Sequence, residues 1–215
     1  MLIVALTGGI ASGKSVIADV FRSRGAVIDS ADASARELMV PGRPGWEAVV
    51  ARLGPAILGA DRMIDRRKLA EILFRDPEVR SFLDAAIHPL VQNARRETVA
   101  RLEREGRTKI YVAESALIFE AGVAGFFDRI VAASCDDSVR AARLAARDGL
   151  EPEEAARRLR AQLPDADKRR RADYVIDTSG PLEETLAGAE RVYARLVEDA
   201  ARKDRGEPLD PLSAR

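Results

Sequence analysis

The chain carries one cysteine, Cys135, and one histidine, His88, in 215 residues. A single thiol excludes an intrachain disulfide and a cysteine cluster for metal, and it fits a reducing compartment. With one histidine as well, no transition-metal site is expected. Long apolar runs are also missing. No window approaches ~18 apolar residues, so nothing is expected to span a membrane. The N-terminal stretch Leu2-Ile3-Val4-Ala5-Leu6 is too short for a secretory core and lacks a basic flank. A cytoplasmic protein is expected. Neither charge sign is in excess: Lys+Arg and Asp+Glu are both 35, which argues against a protein that coats a nucleic-acid duplex. Lysine is scarce, at Lys14, Lys68, Lys109, Lys168 and Lys203 only. The arginine bias is assigned mainly to genome base composition, although arginine also suits phosphate binding.

What is present is an ordinary globular composition, 47% hydrophobic and 33% charged, long enough for one α/β domain with an inserted helical subdomain. Residues 2 to 6 read as a fully buried parallel strand, ended by Thr7-Gly8-Gly9. Val16, Ile17, Val20 and Phe21 recur at helical spacing, and Gly25 stops that helix. Ala26-Val27-Ile28 is then a second strand, giving the opening of a βαβ unit. The middle is helical, around Trp46 to Leu53, Arg66 to Phe74 and Glu78 to Glu105, with a kink or break expected beside His88 because of Pro89. Strands are expected again at Lys109–Ala113, Arg129–Ala133 and Tyr174–Ile176. Helices are expected at Asp136–Arg147 (capped by Asp136 or Asp137), Pro152–Gln162 and Leu182–Ala201. The expected organisation is a single domain over 1–202, with a helical region at about 40–105, a lid at about 147–170 and a mobile tail at 203–215.

The chemistry is concentrated in Gly8-x-x-x-x-Gly13-Lys14-Ser15, a complete Walker A pattern lying after a strand and before a helix. Its glycines allow successive N–H groups to point inward as an anion nest, and the following helix adds its positive end. Gly9, Ala11, Ser12, Gly13, Lys14, Ser15 and Val16 are the candidate ATP-binding positions. Lys14 would reach the β- and γ-phosphates and the Ser15 hydroxyl would help hold Mg²⁺. Two further absences narrow the class. A GTPase would carry Asn-Lys-x-Asp, yet Asn93, the sole asparagine, is followed by Ala94. A motor-type ATPase would end a long apolar strand in Asp or Asp-Glu, and the nearest strand ends, Glu114 and Asp177, are poor matches. A small P-loop kinase remains.

Such an enzyme needs an acid near the end of the second strand, to orient or deprotonate an acceptor hydroxyl, and basic groups for the transferred phosphoryl. Asp29 and Asp32 are the candidates for the acid; either could instead cap the helix starting near Ala33, and that kind of role is favoured for Asp29. Arg140, Arg143 and Arg147 are spaced i, i+3, i+7 on one helix face, and Arg157, Arg158 and Arg160 follow. Most are read as a solvated surface; Arg143 and Arg147 are taken as exceptions. A lone His88 before proline is read as a structural or binding residue rather than a catalyst.

These features, in order, resemble the dephospho-coenzyme A kinase family. The resemblance rests on "ALTGGIASGKS", "DSADASARELMVPGRPG" (Asp29 to Gly45), "DRRKLAEILF" (Asp65 to Phe74), "IHPLV" (Ile87 to Val91), "ESALIFEAG" (Glu114 to Gly122), "RAARLAARDGL" (Arg140 to Leu150), Gln162 and "RRADYVIDTSG" (Arg170 to Gly180). It implies a P-loop kinase fold: a parallel five-stranded sheet flanked by helices, with a helical acceptor-binding subdomain and a lid. It implies phosphoryl transfer from MgATP to the ribose 3′-hydroxyl of dephospho-coenzyme A. By position it makes Asp32 the base, Arg36, His88 and Pro89 acceptor-binding residues, and Arg143 the arginine near the P-loop; Arg147, on the same helix face, is the further candidate for the nucleotide. A kinase for another small acceptor, such as a nucleoside monophosphate, is the alternative, and the middle helical region separates the two because a pantetheine-bearing acceptor needs a larger cover. Three departures stand out. The family's usual Asp-Ala-Asp is Ser30-Ala31-Asp32, its Pro-Leu-Leu-x-Glu is Ala116-Leu117-Ile118-Phe119-Glu120, and Asp177-Thr178 follows the last strand where Asn is common.

Overall fold

Strand β1 (Leu2–Thr7) is the apolar run around which the sheet is built. The computed structural model describes residues 1–209, apart from the side chain of Phe74. Among the described residues a five-stranded parallel sheet runs in the order β2-β3-β1-β4-β5, with β2 at Val27–Ser30, β3 at Ile110–Glu114, β4 at Arg129–Ser134 and β5 at Tyr174–Asp177. In register, Val4 sits beside Val112 of β3 and Arg129 of β4. The chain leaves β1 toward the β3 side and later crosses from β3 to β4, so the strand order reverses at β1. Ligands of open α/β sheets bind beyond the carboxyl ends of the strands at such a reversal.

Side-chain alternation along β1 sorts the core. Leu2, Val4 and Leu6 pack on one face with Ile17 and Phe21 of α1 (Lys14–Ser23) and Ala189 and Leu196 of a later helix (Leu182–Asp204). Ala5 turns to the other face, with Ile118, Phe119, Ile130 and Ala132. A strand buried on both faces loses the polar half of the usual alternation, which is why β1 reads as a continuous hydrophobic run.

The fold divides into two units, Met1–Asp29 with the chain from Leu102 onward, and Ser30–Arg101. The second unit begins ten residues earlier than the expected start near 40 and contains α2 (Ala31–Leu38), α3 (Pro44–Leu53), α4 (Arg66–Arg75) and most of α5 (Pro77–Glu105). Val49, Ile57, Ile64, Leu69, Val79 and Leu83 form its core. Asp65 caps α4 by accepting from the amides of Arg67 and Lys68, and Asp76 does the same for Glu78 and Val79 at the start of α5. Of the kink or break expected beside His88, the break is absent: α5 continues through Pro89. Proline removes one donor there, to the carbonyl of Ala85, and the helix carries that single loss.

In the first unit the remaining helices are α6 (Asp137–Asp148), α7 (Pro152–Arg160), α8 (Asp165–Arg171) and α9 (Leu182–Asp204). Helix α7 stops before Gln162, which falls in the following turn, and α8 escapes hydrophobic periodicity altogether. Its sequence is Asp-Ala-Asp-Lys-Arg-Arg-Arg, acidic at the amino end and basic at the carboxyl end, which is the order a helix dipole favours. Lys203 to Leu209, expected in the mobile tail, are held: the Lys203 ammonium donates to Asp128 at 2.5 Å, the Arg202 guanidinium to the Pro208 carbonyl at 2.9 Å, and Leu209 packs on the core. Positions 210–215 of that tail lie outside the described residues.

A polar cluster ties the start of β4 to α9. The Arg129 side chain is 5% exposed, and its guanidinium meets the Asp199 carboxylate at 2.7 Å. The Tyr174 hydroxyl donates to the same carboxylate at 2.8 Å. Burial and the Asp199 carboxylate both raise the Tyr174 pKa well above its ordinary value, so the phenol keeps its proton and remains a donor. Removing one member of a buried pair strands the others. Asp199→Ala is therefore expected to lower the unfolding free energy by ~3–5 kcal/mol in urea titrations, and Arg129→Met with Asp199→Leu to recover much of that loss.

Candidate active site

The loop between β1 and α1 is bent by three residues of positive φ: Gly8 at 146°, Ala11 at 60° and Gly13 at 77°. Ala11 is the informative one, because a residue with a Cβ occupies the left-handed region only where the surroundings hold it there. Gly13 is the N-cap of α1 and supplies no side-chain cap, and the first turn contains no acid. An ordinary helix would be short of two stabilisers. Here their absence leaves the positive end of α1 open to an anion. Ser15 lies exposed in that first turn. The Lys14 ammonium curls over the loop and donates to the carbonyls of Gly8 at 3.0 Å and Gly9 at 2.9 Å.

Within the loop the Ser12 amide meets the Gly9 carbonyl at 3.2 Å, and other backbone polar groups of the loop find partners elsewhere. Three later side chains supply them. The Gln162 side-chain oxygen accepts the Ile10 amide at 2.8 Å. The Arg140 guanidinium donates to the Ile10 carbonyl at 3.2 Å and is itself held by Asp137 at 3.0 Å. The Thr178 hydroxyl lies 2.9 Å from the Ser12 carbonyl and 3.0 Å from that of Ser134, so one proton serves both. Thr178 thus occupies the Asn position of the resemblance and makes a contact of its own. Two hydroxyls, Thr7 Oγ1 and Ser12 Oγ, are buried without a hydrogen-bond partner.

The arginine face of α6 is divided by depth. Arg140, read as part of a solvated surface, is 2% exposed and is the member that touches the loop. A Cβ on Gly9 would come within 2.1 Å of its guanidinium, so that close approach needs glycine. Arg143 sits one layer back, donating to the Thr178 carbonyl at 2.8 Å with Cys135 Sγ at 3.4 Å. Arg147 is exposed and bonded to Asp148 at 2.7 Å; that bond holds the Asp148 carboxyl below its usual range. Arg157 and Arg158 pair with Glu154 on their own helix.

Of the two candidate acids, neither caps α2, because Ser30 takes the N-cap position. Asp29 is engaged within the sheet, accepting the hydroxyl of the buried Tyr111 at 2.5 Å. Asp32 is an exposed carboxylate in the first turn of α2, four residues before the exposed Arg36 and hence on the same helix face. His88 is half-buried on α5, with Nε2 3.8 Å from Asp84, and Pro89 follows it. Asp32, Arg36, His88 and Pro89 belong to the second unit; Lys14, Ser15, Arg143 and Arg147 belong to the first. Asp136 takes the N-cap position of α6 without a side-chain bond, while Asp137 turns to Arg140.

Comparison with known proteins decides the class. A profile of the dephospho-CoA kinase family matches residues 2–184. The chain belongs to that family. A dephospho-CoA kinase of Moorella thermoacetica is 42% identical over 196 residues, covering 91% of this chain and 92% of the relative. Among solved structures, the protein TT1252 from Thermus thermophilus superimposes with a TM-score of 0.73 at 34% identity, over 91% of this chain and 97% of its own. A dephospho-CoA kinase from Campylobacter jejuni shares the fold, with a TM-score of 0.68 at 24% identity over 92% and 98%. The sheet flanked by helices is thus a P-loop kinase fold. Among the described residues no helix is long and apolar enough to cross a membrane.

Arg140, Gln162 and Thr178 are the loop-facing residues that sequence reasoning did not assign to the site. Burial inside an arginine-rich helix leaves no mark on a sequence. A glutamine at the end of a helix is equally silent. Gly9→Ala is expected to leave the fold intact, at a cost below ~2 kcal/mol by thermal unfolding, because the guanidinium can swing aside. The displaced Arg140 then releases the Ile10 carbonyl, and affinity for an ATP analogue should fall roughly tenfold in calorimetric titration.

Proposed function

We propose that this chain transfers the γ-phosphoryl group of ATP to the ribose 3′-hydroxyl of dephospho-coenzyme A, completing coenzyme A synthesis in the cytoplasm. The observation that carries the reading is the loop of residues 8–15, a backbone bent by positive φ at Gly8, Ala11 and Gly13 that lies at the strand-order reversal and ends on an uncapped helix, in a chain of this family.

Gly9 and residues Ala11 to Val16 cradle the phosphates, the Ile10 amide being taken by Gln162, and Lys14 neutralises charge that develops on the β–γ side. Among the described residues no group of three or more His, Cys, Asp or Glu side chains could cage a metal. The exposed Ser15 hydroxyl fits a Mg²⁺ that is otherwise held by phosphate oxygens and water, as this ion prefers. Bound there, the ion would supply charge neutralisation for the transferring phosphate. Asp32 accepts the proton of the acceptor 3′-hydroxyl as that oxygen bonds to the γ-phosphorus. The bond from phosphorus to the β–γ bridging oxygen breaks in line, and ADP leaves without a phosphoenzyme. Arg36, His88 and Pro89 hold the acceptor, and Arg143 and Arg147 serve the transferring group and the nucleotide. In this role Arg143 would leave the Thr178 carbonyl, and Arg147 its partner Asp148.

ADP release measured with dephospho-coenzyme A, AMP and shikimate as separate acceptors tests the assignment. Turnover is expected with the first alone; turnover with AMP and none with dephospho-coenzyme A would overturn it. Asp32→Ala is expected to abolish most turnover while ATP affinity stays near wild type. Arg143→Ala should cost on the order of 10³-fold in kcat, by analogy with other phosphoryl-transfer arginines.

A further inference from the structure

The Gln162–Ile10 hydrogen bond belongs to a larger construction at the exit of α7. Ile10 and Ala11, at the crown of the loop, pack against Leu144 of α6 and against Ala155 and Leu159 of α7. Two residues past the end of α7, the Gln162 amide donates to the Leu159 carbonyl at 3.2 Å, and its side chain reaches back to the Ile10 amide. The next residue is pinned from the opposite side: the Leu163 amide donates to Glu120 at 3.0 Å. Glu120 in turn meets the buried Lys168 ammonium at 2.8 Å, and Lys168 also donates to the Ala116 carbonyl at 2.5 Å. Gln162 therefore projects from an anchored turn rather than a loose one.

We infer that Gln162 is a positioning residue for nucleotide binding, clamping the Ile10 amide and so tying the placement of α7 to the shape of the phosphate loop. The inference rests on the nucleotide reading of that loop given above. Helix α7 cannot lift from the crown without breaking this bond and uncovering Ile10 and Ala11. With the Ile10 amide bound to Gln162, the inward-facing set is left to its neighbours in the loop. An unclamped Ile10 peptide can rotate, and the left-handed Ala11 beside it has less to hold it there.

The test compares Gln162→Leu, which keeps shape and removes the acceptor, with Gln162→Glu, which keeps an acceptor oxygen. Hydrogen exchange of the Ile10 amide is followed in the nucleotide-free enzyme, and the Kd for a non-hydrolysable ATP analogue with Mg²⁺ is measured alongside the KM for the acceptor. Q162L should exchange Ile10 roughly tenfold faster and bind the analogue roughly tenfold more weakly, with the acceptor KM unchanged. Q162E should restore slow exchange. Gln162→Ala is read in the same way should Q162L fail to fold. Wild-type exchange or wild-type analogue affinity in Q162L, or fast exchange in Q162E, would overturn the inference. Wild-type enzyme that fails to bind the analogue would instead overturn the nucleotide reading itself.

Discussion

Residues 8–13 form neither helix nor strand and close little of their own hydrogen bonding, and this constraint organises the first unit. Apart from the Ser12 amide, which meets the Gly9 carbonyl at 3.2 Å, groups such as the Ile10 amide, the Ile10 carbonyl and the Ser12 carbonyl take partners from other elements. The partners come from α6, from the turn after α7, and from the turn after β5: Arg140, Gln162 and Thr178. These supports occupy the carboxyl-end side of β1, β4 and β5.

The sheet delivers those supports because its faces are sorted by alternation. Leu2, Val4 and Leu6 anchor α1 and α9 on one face, while Ala5 leaves the opposite face shallow for Ile118, Phe119 and Ala172. At the opposite end of β4, Arg129, Asp199 and Tyr174 fasten α9 where β4 begins. The conserved quantity is polar satisfaction: a buried guanidinium at either end of the unit is matched to a carboxylate or a carbonyl rather than left in an apolar setting.

Much of this was legible in advance. The strand–loop–helix of residues 2–23 follows from an apolar run, two glycine-permitted turns and a helical stripe, all encoded within about twenty residues. The later strands were legible for the same reason, with ends off by one or two positions. Helix α8 was not, because its sequence has charge order and no apolar period. A break in α5 at Pro89, one of two expected outcomes, does not occur, since a helix with many other bonds tolerates one lost donor. At the site, Asp29 and Asp32 could not be separated by spacing alone. Only the sheet places Tyr111 where its hydroxyl occupies Asp29.

The sequence by itself determined the Walker A pattern of residues 8–15, because it depends on residues adjacent along the chain, and the family to which the chain belongs, whose match runs over residues 2–184. Which of the three arginines on one face of α6 enters the core, and which glutamine clamps Ile10, was decided only by tertiary structure. Those partners lie 130 positions away for Arg140, 152 for Gln162 and 166 for Thr178. Helical spacing places side chains on a common face, but depth is set by what that face packs against, and here it packs against the loop.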